Sequence, residues 1–325
     1  MRLDTRQLTA FEAVLNEGSF EAAARRLHLT PSAISQRIKL LEERLGRVLI
    51  RRGSPCVATE AGGALQRYAQ QLALLEAQAL APFGLAGDGR AARGSVTARL
   101  PLAIAVNADS LATWFAPALA AVQAAHAVSF QLFVEDQDHS SELLRQGRVI
   151  AAVSADPRAV QGCEVMRLGA MRYVAVASPA YLRRWFADGL SDAALAAAPC
   201  SVFNRKDELQ ARFLRRLTRR RVNPPQHQVP STHGFIHAAV HGLGWGMNPR
   251  VLVEPLLQSG DLVELAPGRF LDVPLYWQHW RLDLDLMRAL RDAFAASFPG
   301  SRIVVGDLFG SVVSGLGIDA ARRFA

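Results

Sequence analysis

Ser32, Ser35, Gln36, Arg37 and Lys39 fall within one short stretch, with Ala33 among them. Short hydroxyls, an amide and cations are the groups that reach base edges and phosphates in a DNA major groove. Thr30 and Arg25 stand just upstream, and Arg51, Arg52 and Ser54 downstream, where a phosphate backbone would run. From Arg25 to Arg52 there are eight Arg or Lys residues against two acids, Glu42 and Glu43, a local excess that favours a polyanion. A second set is of another kind. Asn107, Asp109, Ser110, Thr113 and Trp114 surround a helix start whose free N–H groups and hydroxyls suit a carboxylate. Glu135, Asp136 and Asp138 follow the next strand, and acids beside an anion site suit a zwitterion with an extra cation, such as lysine or arginine. The competing reading leaves those acids facing solvent in a loop. Catalytic signals are missing: there is no Ser/His/Asp order with an exposed nucleophile, no metal spacing and no cofactor fingerprint. Gly242, Gly244 and Gly246 lack phosphate-loop spacing and are assigned to close backbone packing. Cys56, Cys163 and Cys200 form no CxxC and read as buried or idle thiols.

The elements that must position these groups follow from period and punctuation. Asp4 to Glu17 reads as a first helix with Leu8, Phe11, Val14 and Leu15 inward. Ser19 caps a short second helix. Thr30-Pro31 starts a third, on which Ile34, Ile38, Leu41 and Leu45 make one apolar stripe opposite the polar set. A helical hairpin with a solvated face would share that spacing. The run Val48–Ile50, a turn through Gly53 and Pro55, and Val57–Thr59 instead add the two strands of a wing, placing Arg51, Arg52 and Ser54 beside phosphates. Ala61, Leu65, Tyr68, Leu72, Leu75 and Ala79 then keep a 4-3-4-3-4 rhythm, a seam for pairing with a second copy or for lying on its own domain. Residues 84–94, rich in Gly and Ala, read as a hinge.

From residue 95 strands and helices alternate. Strands are expected at 100–106, 128–134, 149–154, 173–177, 245–247 and 274–280. Helices are expected at 111–125, 140–146, 208–220, 234–241 and 284–298. This order argues an α/β fold with largely parallel sheets and a ligand cleft at strand ends. Residues 205–221 carry eight basic residues against Asp207 and Glu208, read as a solvated amphipathic helix. The whole chain has 325 residues, 50% hydrophobic and 20% charged, with net charge +8. It opens with no charged and apolar leader and holds no apolar run of membrane length, so a cytoplasmic protein is expected.

L-x-x-F-x-x-V at 8–14, G-S-F-E-A-A-A at 18–24, P-S-A-I-S-Q-R-I-K-x-L-E at 31–42, L-G-R-V-L at 45–49 and T-E-A-G at 59–62 together resemble the LysR-type transcriptional regulators. The effector half is similar to the ArgP/LysG group within that family, through N-A-D-S-L-A-T-W, V-E-D-Q-D-H, V-Q-G-C, L-G-x-M-R-Y, F-N-R-K-D-x-L-Q, V-P-S and G-L-G-W-G-M. The resemblance implies a winged helix-turn-helix over 1–60 and a dimerising linker helix and hinge over 61–93. It further implies a two-lobed, periplasmic-binding-protein-like α/β effector domain over 94–300. Lobe I would comprise about 95–165 and 268–300, and lobe II about 166–267. The tail 301–325 is left without a role. Implied partners are double-stranded DNA, a second or further copies of the chain, and RNA polymerase; no cofactor is implied. The implied effector is lysine or arginine, and the implied target an exporter gene for such an amino acid. Effector contacts carried by the resemblance are Asn107, Asp109, Ser110, Thr113, Trp114, Glu135, Asp136 and Ser154, with Phe203, Asn204, Asp207, Ser231 and His233 from the second lobe. Asp109 or Glu135 would meet the cation. Asn248 stands where an aliphatic residue is expected. A ligand-independent architectural DNA-binding protein, or a regulator with another small effector, remains the alternative.

Overall fold

The structure is a computed structural model that describes residues 3–80, 83, 99–135 and 140–298. The expected hinge over 84–94, Asp136, Asp138 and the tail 301–325 lie outside the described residues. The chain opens with α1 (Thr5–Glu17), α2 (Phe20–Leu27) and α3 (Pro31–Leu45). Each starts on a side-chain cap: Asp4 accepts from Arg6 N, Ser19 from Ala22 N and Thr30 from Ala33 N. Each ends on a left-handed residue, Gly18, His28 or Gly46. Phe11, Val14, Ile34, Ile38, Leu41 and Leu49 are buried together beneath them. The wing is a pair of short antiparallel strands, β1 (Ile50–Arg51) and β2 (Val57–Ala58).

Two contacts fasten that wing. Glu42 Oε1 on α3 accepts from the backbone N–H of Leu49 at 2.8 Å and of Ile50 at 3.3 Å. Thr59 Oγ1 donates to Val48 O and accepts from Gly62 N, ending the wing and starting α4 (Glu60–Leu80). Gly62 is obligatory, since a Cβ there would lie 2.0 Å from the Leu49 carbonyl oxygen.

The seam expected along α4 is divided rather than continuous. Leu65 is buried with the amino-terminal core and Leu74 with the effector core, whereas Tyr68, Leu75 and Leu80 are exposed. A Cβ on Gly63 would come 3.0 Å from Gln146 O, and Gln78 Oε1 accepts from Asp285 N at 3.2 Å. One face of α4 therefore lies on its own chain, and another stays open. Seven-residue rhythm marks apolar positions but does not say which neighbour each one meets.

The effector part begins with β3 (Leu100–Val106), α5 (Ala108–Ser110), a π-helical turn (Leu111–Phe115) and α6 (Ala116–Ala125). Next come β4 (Val128–Val134), α7 (Ser140–Arg145) and β5 (Ala151–Ser154). After β6 (Cys163–Ala177) follow α8 (Pro179–Trp185), α9 (Asp192–Ala197), β7 (Cys200–Val202), α10 (Leu209–Leu217) and β8 (Gln226–Gln228). The chain continues through α11 (Thr232–Val240), β9 (Gly246–Pro249), α12 (Arg250–Ser259) and β10 (Val263–Glu264). It closes with β11 (Phe270–Trp280) and α13 (Asp285–Ser297).

The large sheet runs β10-β6-β11-β5-β3-β4, with β9 also on β6. Only β4-β3-β5 are parallel there; every pairing of β6 and β11 is antiparallel, so the sheet is mixed, not largely parallel. The reason is that β6 and β11 are long strands shared by both lobes. Tyr276–His279 pair with β5, while Phe270–Leu275 pair with Gly169–Val174 beside β9. Phe270–Leu275, which the resemblance put within an approximate lobe I, thus pair beside β9 rather than beside β5. Among the described residues no helix is long and apolar enough to cross a membrane.

Candidate DNA interface and effector cleft

On α3 one helical register sets both faces. Ile34, Ile38 and Leu41 are buried, and Ser32, Gln36 and Lys39 are exposed at the same 4-and-3 spacing. Ala33, Ser35 and Arg37 flank them, partly buried. Thr30 Oγ1 and Ser32 Oγ lie 2.9 Å apart at the helix start. Lys39 makes only a loose 3.7 Å pair with Glu43, both exposed, which leaves its charge to solvent or phosphate. Arg25, Arg51, Arg52 and Ser54 are all exposed, and the Arg52 guanidinium lies 5.0 Å from the Phe20 ring centroid. Stacking of this kind positions that exposed cation at the wing. Glu42 is absent from any recognition set read off the sequence, yet it ties the wing to α3. Glu42 and Glu43, the two acids in a basic stretch, were the signal.

Between the lobes lies a cavity of about 470 Å³. Lobe I lines it with Asn107, Asp109 and Glu135, at the ends of the parallel strands β3 and β4. Asn107 caps α5 through its Oδ1, which accepts from Ser110 N at 3.2 Å. Asp109 is half-buried, and both its oxygens accept from lobe II: Tyr173 Oη at 2.7 Å and Thr232 Oγ1 at 2.9 Å. Glu135 is exposed. Lobe II adds the loop Phe203–Glu208, which the Asp207 carboxylate shapes by accepting from Phe203 N and Leu209 N. Asn204 Oδ1 likewise accepts from Lys206 N at 2.8 Å. Arg205, Lys206 and Arg212 bring cations to the same cavity. Lobe II also carries Asp207 and Glu208, so acids and cations line one cavity together, as a zwitterion with a charged side chain requires.

The structure therefore brings together Asn107, Asp109, Glu135, Phe203, Asn204 and Asp207. Among the described residues, the expected contacts Ser110, Thr113, Trp114, Ser154, Ser231 and His233 do not line the cavity. Trp114 is in the core, edge-on to Phe115, Phe294 and Phe298. The Thr113 hydroxyl is spent on the carbonyl of Asp109 at 2.7 Å, inside its own helix. Ser110 is fully buried, and Ser154 pairs with Ser141 at 3.0 Å. Ser231 caps α11 by accepting from Gly234 N, and His233 is exposed on that helix. Thr113, Trp114, Ser154 and Ser231 have the right residue type near the cleft, but a local helix or core partner claims each.

Tyr173, Arg205, Lys206, Arg212, Gln228, Thr232 and Asn248 line the cavity without having been singled out for it. For the three cations the signal was the basic run, and for Asn248 its polarity within an apolar strand. Asn248 is 1% exposed, and its Nδ2 donates to Gly246 O. The glycines beside it serve packing: a Cβ on Gly246 would lie 2.3 Å from the Phe235 ring, and one on Gly244 3.1 Å from Pro199 O. All three cysteines are buried and free. Burial pushes the Cys163 thiol up to about 11 and the Cys200 thiol up to about 12.

Comparison with known proteins agrees with both ends of this layout. Residues 5–63 match the bacterial regulatory helix-turn-helix protein, lysR family, and residues 97–299 match the LysR substrate binding domain. The HTH-type transcriptional regulator LysG of Mycobacterium bovis is 46% identical over 299 residues, covering 92% of this chain and 95% of that protein. The lysine export transcriptional regulatory protein LysG of Corynebacterium glutamicum is 41% identical, over 88% of this chain and 95% of its own length. Among solved structures, ArgP from Mycobacterium tuberculosis superposes with a TM-score of 0.79 at 45% identity, over 92% of this chain and 98% of that one. Full-length LysG from Corynebacterium glutamicum with bound effector Arg gives 0.70 at 38% identity, over 91% and 98%. A winged reading head joined by one helix to a two-lobed cleft, matched over nearly the whole length, places this chain in the LysR family of bacterial helix-turn-helix regulators.

Proposed function

We propose that this chain regulates transcription by gripping duplex DNA with α3 and the β1–β2 wing, and that lysine or arginine in the interlobe cleft sets when it does so. The cleft's charge content carries the reading: Asp109 and Glu135 line one cavity with Arg205, Lys206 and Arg212. A basic amino acid places its side-chain cation toward the acids and its carboxylate toward the cations. Related proteins named for lysine export, and one with bound arginine, support this class of ligand and an exporter gene as target.

Two copies would act together. Tyr68 and Leu75 are 46% and 48% exposed on α4, an apolar stripe that a second α4 would cover. Paired copies set two α3 helices on half-sites about 34 Å apart or a multiple of that. The ligand must favour one lobe arrangement over the other for the signal to pass.

Calorimetric titration of the full chain with arginine, lysine, citrulline and leucine tests the ligand, and footprinting with and without the binder tests the coupling. Binding of arginine or lysine but not citrulline or leucine, with a changed footprint, is expected. Binding of none of them would remove the effector reading. An unchanged footprint at saturating ligand would favour an architectural role.

A further inference from the structure

Asp109 lies in the first turn of α5 in lobe I, and two hydroxyls from lobe II close on its carboxylate. Tyr173 comes from β6, a strand shared by the lobes, and Thr232 from the first turn of α11. The pairs are 64 and 123 residues apart in the chain, so they meet only through the tertiary fold. Neither hydroxyl carries charge. What they give Asp109 is position: each of its two oxygens is held by its own donor, which fixes the carboxylate plane in the wall of the cavity. Glu135, the other acid on that wall, is exposed. A carboxylate already held gives up less side-chain freedom when a ligand arrives than an exposed one does.

We infer that Tyr173 and Thr232 are positioning residues that make Asp109, rather than Glu135, the group selecting a cationic ligand side chain, and that the same two hydrogen bonds clasp the lobes. This rests on the basic amino acid reading above. With the clasp made, a guanidinium or ammonium entering the cavity meets a carboxylate that needs no rearrangement. With it lost, Asp109 can swing to solvent, and the cleft discriminates less between a charged side chain and a neutral one of the same shape.

The test compares arginine with citrulline, its neutral isostere, by calorimetry on full-length Tyr173→Phe, Thr232→Val and the double variant. Preference for arginine over citrulline should fall about tenfold for each hydroxyl removed, the worth of a hydrogen bond to a charged group. Glu135→Gln should change that ratio by less than about twofold. A merely structural role would weaken both ligands alike and leave the ratio at the wild-type value, which would overturn the inference. If wild type bound neither compound, the functional reading would fail, and the clasp would be judged on the unliganded chain. Spin labels on Ala124→Cys and Asp188→Cys, exposed positions in lobes I and II, report the interlobe distance while the native thiols stay buried. The double variant should give a longer, broader distribution. An unchanged distribution would sink the clasp.

Discussion

In the amino-terminal domain Ser32, Gln36 and Lys39 are exposed on the same helix whose Ile34, Ile38 and Leu41 are buried, so a single register fixes what is held and what is presented. In the cleft no register does this. Asp109 meets Thr232 across 123 residues, and Arg212 reaches the same cavity from a third element. The first arrangement is rigid because its parts are covalent neighbours. The second depends on two lobes staying together, and a dependence of that kind is what a ligand can exploit. The reading head is built to persist and the cleft to respond.

If that contrast is right, the two regions should fail separately. The largest effect is expected from Gly62→Ala, whose Cβ would lie 2.0 Å from Leu49 O at the junction of wing and α4. Overpacking against backbone should cost the amino-terminal domain about 3 kcal/mol. Urea unfolding would show this, while arginine affinity measured by calorimetry stays near wild type. Asp109→Asn should do the reverse. It keeps the shape but removes the charge, and arginine affinity should fall about a hundredfold, within the 2–5 kcal/mol typical of truncating one partner of a buried charged pair. DNA affinity without ligand, read by fluorescence anisotropy on a non-operator duplex, should hold. Loss of both functions in either variant would break the comparison.

Finer changes sharpen it. Gln36→Ala should cost about 1–3 kcal/mol on the operator and relax preference at one base pair, visible in a competition panel of single-base variants. Lys39→Ala should weaken all duplexes alike and lower the salt slope of binding by about one. The smallest effect concerns pH. Unfolded thiols ionise near the ordinary 9.0, but burial holds Cys163 at about 11 and Cys200 at about 12. Their contribution is therefore complete below pH 9 and is lost as pH rises through the folded values. The urea midpoint of the effector domain should decline above pH 9, and less so in a Cys163→Ala, Cys200→Ala chain.

Much of the reading head was legible in the residues, because caps, apolar spacing and the wing turn are all short-range. Ser19 and Thr30 cap the helices they were expected to cap. The cleft was legible only in outline. Strands at 100–106 and 128–134 were expected with the bounds observed, and Asn107, Asp109 and Glu135 stand at their ends. Thr113, Trp114, Ser154 and Ser231 have suitable chemistry at suitable places, yet a helix carbonyl, an aromatic core, a neighbouring serine and a helix N–H take them instead.

By itself, then, the order of residues determined that helices form where they do, which side of α3 is apolar, and that one end of the chain is suited to a polyanion. Those features depend on period and on partners a few positions away. The tertiary structure alone decided that α4 divides its face between its own chain and solvent, that β6 and β11 serve both lobes, that Tyr173 and Thr232 close on Asp109, and that Arg205, Lys206 and Arg212 line the same cavity. Which donor meets which acceptor across more than sixty residues is set by sheet pairing and lobe packing, and no local pattern encodes it.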